Sequence, residues 1–399
     1  MDRLWENLRK FWKLDERVAF LNHGSFGACP TPVLDYQAQL RDAMERNPVR
    51  FLVNEYPERL HAVRQQVAEF VNARSEDVVF VNNATTGVNA VLRSLPFRPG
   101  DEILTTNHLY GGCRNTIDHV CATTGATVVV ANIPFPVADP RQIVDAVLVR
   151  TSERTRLAVL DHVTSITGLI FPIEQLVSAL HRRGIETLVD GAHALGMLPV
   201  DITALGASYY VGNFHKWVCA PKGAAMLWVH PERQSLIVPG TVSHGYTHEE
   251  RWRFQSMFDW QGTTDPTAWL SVGEALRFMG TLFAGGWATV RGRNHRVAMM
   301  AREALCEALE QPPPCPESMI GSMVSIPIAR KRVSSSDMSR LRALPSATEL
   351  YERLVQEGFE ALVMPWPNPS GRVLRVTAQV YNAPQDYERL AALLPRLLN

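Results

Sequence analysis

The first two thirds of the chain alternate between two hydrophobic periods. Residues 54–73, NEYPERLHAVRQQVAEFVNA, repeat apolar side chains at helical spacing, and the run DVVFVNN that follows reads as a strand. Beyond the turn RPGD at 98–101 the alternation continues. EILTTN is a strand, GATVVVANI a strand after a helix-like stretch, PRQIVDAVLVRT a helix and TRLAVLDHVT a strand. IEQLVSALHRRG is then a helix ending at Gly184, IETLVD a strand, and SYYV a further apolar run. Short unbroken apolar strands between helices predict parallel βαβ units, because a strand covered on both faces has no polar side.

The final third changes character. EALRFMGTLFAGGWATVRGRNHRVAMMAREALCEALEQ reads as one long helix or two, broken near 284–286, and a proline-rich turn leads from it into MVSIPIA. SATELYERLVQEGFEALVMPW is helix then strand, RVLRVTAQV is a strand, and PQDYERLAALLPRLL closes as a helix. The run 330–346 is polar and turn-forming and reads as an exposed loop. The fold class is therefore α/β. Residues 51–274 form a large domain with a mainly parallel sheet flanked by helices, 275–399 form a smaller α+β domain, and 1–50 pack with the small domain.

Composition narrows the function classes. Lys plus Arg and Asp plus Glu both number 40, so the formal net charge is zero and nothing favours nucleic acid or an acidic membrane surface as partner. The six cysteines are scattered without a C-x-x-C pair, which argues for a reducing, cytoplasmic setting and against a zinc site; no metal is expected. MDRLWENLRKFWKLDER lacks the apolar core of a signal peptide, and no run of roughly 18 apolar residues offers a membrane span.

Ligands of doubly wound sheets bind beyond the carboxyl ends of the strands. The segments just after the strands, 83–87, 107–110, 161–168, 190–193 and 213–216, are all rich in polar and titratable types and converge on one cleft. One of them, GNFHKW, carries Lys216 at an inward-pointing strand end, and a Schiff base to an aldehyde cofactor is one reason to bury a lysine. Pyridoxal phosphate needs an anion beside its ring nitrogen, which Asp190 at the end of IETLVD would supply, and His193 would reach the ring hydroxyl. Its phosphate needs donors at a helix start, and NNATTG offers Thr85 and Thr86, with Asn213 and His215 beside the lysine. His108 in TNHLYGG would stack on the ring face. Each has a plainer reading taken singly: Asp190 as a helix N-cap, His193 as a core histidine, Lys216 as a solvated cation. The order in which they occur, donors, carboxylate, then lysine, is what one cofactor requires.

LVDGAHALG and GNFHKW resemble the class V aminotransferase group of fold type I pyridoxal-phosphate enzymes, which includes the cysteine desulfurases. FLNHGSFGACP, DHVTSITG, QGTTDPTAWL and LRVTAQVYNAPQD are similar to the isopenicillin N epimerase-like branch, from about residue 18 onward. The resemblance implies that Lys216 carries the cofactor, Asp190 pairs with the ring nitrogen and Ser165 stands where desulfurases have asparagine. It implies that Thr263 reaches the phosphate of a neighbouring subunit, hence a homodimer with interfacial sites, and that Arg375 grips the substrate α-carboxylate with Asn22 and His23 nearby. Desulfurases also carry a reactive cysteine upstream of the arginine strand, whereas residues 321–375 contain none, so persulfide transfer is not expected.

The expected substrate is an amino acid. After Lys216 takes the Cα proton, reprotonation from the opposite face gives epimerisation and loss of a β-substituent gives C–S β-elimination; these stand close together. Aminotransfer and a non-catalytic cofactor-binding homologue are further readings. A second acid for epimerisation is offered by His23 or Tyr110, and the sequence selects neither. Phe26, Tyr56, Tyr246, Trp252 and Trp260 are candidates either for a substrate-tail pocket or for interface core.

Overall fold

A computed structural model describes residues 7–328, 345–367 and 371–398, apart from the side chains of 250–252. Twelve strands are described: β1 (Ala19–Phe20), β2 (Val78–Val81), β3 (Glu102–Thr106), β4 (Thr127–Ala131), β5 (Thr155–Asp161), β6 (Glu186–Asp190), β7 (Tyr209–Asn213), β8 (Ala225–Val229), β9 (Met323–Pro327), β10 (Phe359–Glu360), β11 (Leu362–Pro365) and β12 (Arg372–Thr377). Seven of them form the central sheet in the order β2-β8-β7-β6-β5-β3-β4. β4, β3, β5, β6 and β7 are mutually parallel, and β8 runs antiparallel to both of its neighbours.

The apolar runs explain the layering. Successive side chains of a strand point to opposite faces. Val79, Leu157, Val159, Leu188 and Val211 enter one core, beneath helices α1 (Ala84–Ser94) and α2 (Gly111–Thr124), whereas Phe80, Ala158, Leu160, Val189 and Tyr210 enter the other. Both sheet faces are covered except along the edge strand β4. β8 is absent from the expected pattern. It returns from β7 through the loop 214–224 that carries Lys216, with no helix between, so the helix–strand alternation that marks its neighbours gives no signal there.

The expected break in the long helical stretch falls between helices at Val272–Thr281 and Gly286–Ala308. The helix at Ala347–Gln356 starts on a capping box, with Ser346 and Glu349 each accepting from the other's backbone N–H. The small sheet is antiparallel in the order β11-β12-β9. The amino-terminal segment packs on the carboxyl-terminal part: β1 pairs with β10, and Thr377 donates its amide to the Leu21 carbonyl (2.8 Å). Most of the 330–346 run lies outside the described residues. Among the described residues no helix is long and apolar enough to cross a membrane, and no group of three or more metal-ligating side chains comes together.

Candidate active site

The carboxyl ends of β2, β3, β5, β6 and β7 open into a cleft of about 1280 Å³ facing the small antiparallel sheet. Each end delivers part of its lining. The β2–α1 turn brings Asn83, Thr85 and Thr86; the β3–α2 turn brings Tyr110; β5 ends in Asp161 and leads to Ser165. Asp190 and His193 follow β6, while Asn213, His215 and Lys216 follow β7. Arg375 reaches in from β12 of the small sheet.

The lysine amine stands 3.0 Å from His193 Nε2. Burial first, and the Arg375 cation second, lower its pKa from 10.5 to about 8. Burial and then Lys216 also hold His193 well below the usual histidine range, so its neutral ring accepts from the lysine. His193 Nδ1 is buried with no partner. His215 donates Nδ1–H to the Ala224 carbonyl (3.2 Å), and burial drops its pKa to about 4. The loop bearing Lys216 is held from behind. The Lys216 carbonyl accepts from His23 Nε2 (2.9 Å), and His23 Nδ1 meets the Tyr381 hydroxyl at 2.8 Å.

Asp190 is 3% exposed and accepts from the Ala192 amide (2.9 Å) and the Cys113 thiol (3.2 Å). At the α1 terminus Asn83 caps the Thr86 amide and Asn213 accepts from the Ala84 amide, both at 2.8 Å. The two side chains fix that helix start; Thr85 and Thr86 line the cleft beside it, and the Thr86 hydroxyl donates to Asn83 Oδ1 (3.1 Å). Arg375 is 2% exposed. It donates to the Ser165 carbonyl, Asn22 Oδ1 (3.0 Å) and Ser25 Oγ (3.0 Å), all neutral acceptors, and burial lowers its pKa to about 10. Among the described residues no carboxylate pairs with it. A guanidinium taken out of water without a counter-ion is costly, so the arrangement is built for an anion that arrives from outside.

Several sequence-expected residues stand elsewhere. His108 does not line the cleft; Nδ1 bonds Thr167 Oγ1 (2.7 Å), Nε2 donates to the Ile133 carbonyl (3.2 Å), and its ring packs on Trp366. Tyr110, two residues on, takes the cleft-facing place at the end of the same turn. Asn22 and His23 act behind the cleft, one on Arg375 and one on the lysine loop. Thr263 is exposed and outside the cleft of its own chain. Of the aromatic candidates, Phe26 lines the cleft mouth, and Tyr56 is buried with its hydroxyl on the Asp259 carbonyl (2.8 Å). Tyr246 is 51% exposed and Trp260 half-buried, both away from the lining, and the Trp252 side chain lies outside the described residues.

A lysine facing a neutral histidine, a buried carboxylate on the neighbouring strand end, and a helix start with hydroxyls define a pyridoxal-phosphate site. The Aminotransferase class-V family matches residues 29–341, and the chain belongs to that family. It is 33% identical to isopenicillin N epimerase of Amycolatopsis lactamdurans, over 98% of both chains. It is 32% identical to a putative L-cysteine desulfhydrase of Oryza sativa subsp. japonica, over 96% of this chain and 83% of that one. Among solved structures, a variant of the C–S lyase C-DES with glycine covalently linked to its PLP cofactor superposes with a TM-score of 0.78 at 20% identity, covering 98% of this chain and 99% of that one. The chain is thus a pyridoxal phosphate-dependent enzyme whose relatives include an epimerase and a putative desulfhydrase.

The residues present fit that cofactor. Lys216 beside the neutral His193, the buried Asp190 carboxylate and Thr85 at the α1 start all line one cleft, the set a hydroxypyridine aldehyde with a phosphate requires. One cleft residue to which sequence reasoning gave no role is Asp161. Its signal was available, for it ends TRLAVLD as Asp190 ends IETLVD.

Proposed function

We propose that the protein epimerises an amino-acid substrate at Cα, with Lys216 as the proton-abstracting base, Asp190 as the partner of the cofactor ring nitrogen and Arg375 as the α-carboxylate clamp. The bound cofactor supplies an electron sink for the charge left at Cα. The observation that carries this reading is the buried Arg375, without a counter-ion among the described residues, in the same cleft as Lys216. Its planar fork suits a carboxylate, and binding there orients Cα for the amine of Lys216. Thr85, Thr86, Asn213 and His215 would hold the phosphate, His193 and Ser165 the ring substituents.

Epimerisation needs an acid on the face opposite Lys216. Both ring nitrogens of His23 are engaged behind the lysine loop, whereas Tyr110 lines the cleft at its mouth and is 48% exposed. Tyr110 is therefore the second acid in this reading. It works as a homodimer in the cytoplasm; the exposed Thr263 and the absence of disulfides among six free cysteines support that extension.

C–S β-elimination is the competing outcome, since desulfhydrases stand beside the epimerases among the relatives. The two separate in one experiment, in which L-amino acids, including cysteine and its thioethers, are incubated in deuterium oxide. Deuterium at Cα with appearance of the D-isomer is expected, and Tyr110→Phe should slow inversion on the order of a hundredfold while keeping exchange with retention. Pyruvate and thiol released without inversion would give the site to elimination.

A further inference from the structure

Asp161 and Asp190 are partners in the parallel ladder between β5 and β6. Strands so paired lie about 4.8 Å apart and paired residues point to the same face. The alternation fixes which face: Leu157, Val159 and Leu188 enter the core beneath α1 and α2, so Asp161 and Asp190, in step with them, project to that side. Cys113 on α2 meets Asp190 there. Both carboxyls line the cleft, and they are 2% and 3% exposed. Two like charges at that spacing, away from water, cannot both be carried.

The donors are divided unequally. Burial raises the pKa of the Asp190 carboxyl as well, but it receives the Ala192 amide and the Cys113 thiol, which favour its ionised form. Asp161 Oδ2 is fully buried and has no partner. Burial first and the Asp190 charge second push the Asp161 carboxyl well above the usual range, while the backbone amide of Tyr110 acts the other way. The remaining groups facing the pair contribute one cation at most. Cys113 and Tyr210 are held neutral by burial, His193 likewise, and Lys216 carries the single positive charge.

We propose that Asp161 and Asp190 hold one proton between them, kept on Asp161, and that Asp161 in its acid form is the positioning residue that presents Asp190 as the carboxylate to the cofactor ring nitrogen. This rests on the assignment of Asp190 above. The neutral acid fills the space beside Asp190 without a second charge. The pair then carries one negative charge, matched to one cation, whether Lys216 or a protonated ring nitrogen.

The test reads the proton directly. Infrared spectra of the purified protein, with cofactor and after its removal, should show the carbonyl stretch of a buried carboxylic acid at neutral pH. Asp161→Asn should abolish it and Asp190→Asn should keep it. No such band in the native protein, or a band lost with Asp190→Asn and kept with Asp161→Asn, overturns the proposal. Cofactor affinity gives the second readout. Asp161→Asn, which mimics the neutral acid, should weaken it by no more than about threefold, and Asp161→Leu by more than about tenfold. An asparagine as damaging as leucine would mean that a charge at Asp161 is needed, and would sink the idea. The band in the cofactor-free protein is independent of the ring-nitrogen assignment, so a failure of that assignment shows up as full cofactor retention in Asp190→Asn instead.

Discussion

A lysine serves as nucleophile and base only as the neutral amine, and desolvation moves Lys216 towards that state while leaving it cationic at neutral pH. Burial and the nearby Arg375 guanidinium bring its pKa to about 8, within reach of neutral pH. The same shift has a stability consequence in the cofactor-free protein. Between about 8 and 10.5 the unfolded chain holds a proton on this lysine that the folded chain does not, so stability rises as pH rises through that window. Below about 8 both states are protonated and the penalty is complete, at roughly 3 kcal/mol. Lys216→Met removes the titration. Denaturant unfolding of the two cofactor-free proteins should show the variant's advantage over the native chain shrinking by roughly 3 kcal/mol between neutral pH and the alkaline end of the window. A difference that does not change with pH would show that burial of the amine is not what sets its basicity.

At the scale of elements, the site is a set of strand ends and the turn residues that hold them in place. Gly27, at φ +69°, closes the short helix His23–Phe26, and a Cβ there would stand 1.9 Å from the His215 carbonyl. Only glycine permits the amino-terminal segment to lie directly on the loop that carries Lys216. Gly27→Ala should therefore displace that loop: a loss of roughly 1–3 kcal/mol in stability from the left-handed backbone alone, accompanied by weaker cofactor retention. Cofactor absorbance after dialysis and a denaturation curve measure both, and a variant that retains cofactor like the native protein would show that the contact is dispensable. How far such placement was legible depends on the element. Five strand ends were marked by period and turn chemistry, and the structure gathers all five. Which residue of a turn points inward was not marked: His108 and Tyr110 are two apart on the β3–α2 turn, and only the packing of His108 against Trp366 and Thr167 decides that Tyr110 faces the cleft. Nor was the pairing of Asp161 with Asp190, since it follows from the lateral order of β5 and β6, which no local pattern contains.

At the scale of the whole molecule, one chain leaves its cleft unfinished on one side. Phe26 and Tyr110 at the mouth are 74% and 48% exposed, an unusual state for aromatic side chains beside a buried site. Thr263, which the family resemblance assigns to a phosphate, is exposed and lies outside the cleft of its own chain. Both facts are reconciled if a second copy covers the mouth and supplies its threonine across a two-fold axis, the commonest closed arrangement. Light scattering should then give two chains per particle. A sharper expectation concerns mixed subunits, because the base and the threonine of one site would come from different chains. Lys216→Ala alone should be inactive, and Thr263→Ala should bind cofactor more weakly and lose activity at limiting cofactor. When the two are unfolded together and refolded, half the particles pair unlike chains, and each holds one site with both native residues. About a quarter of all sites should thus recover native cofactor affinity. Activity no greater than the mean of the separate preparations would place Thr263 in its own chain's structure rather than its neighbour's site.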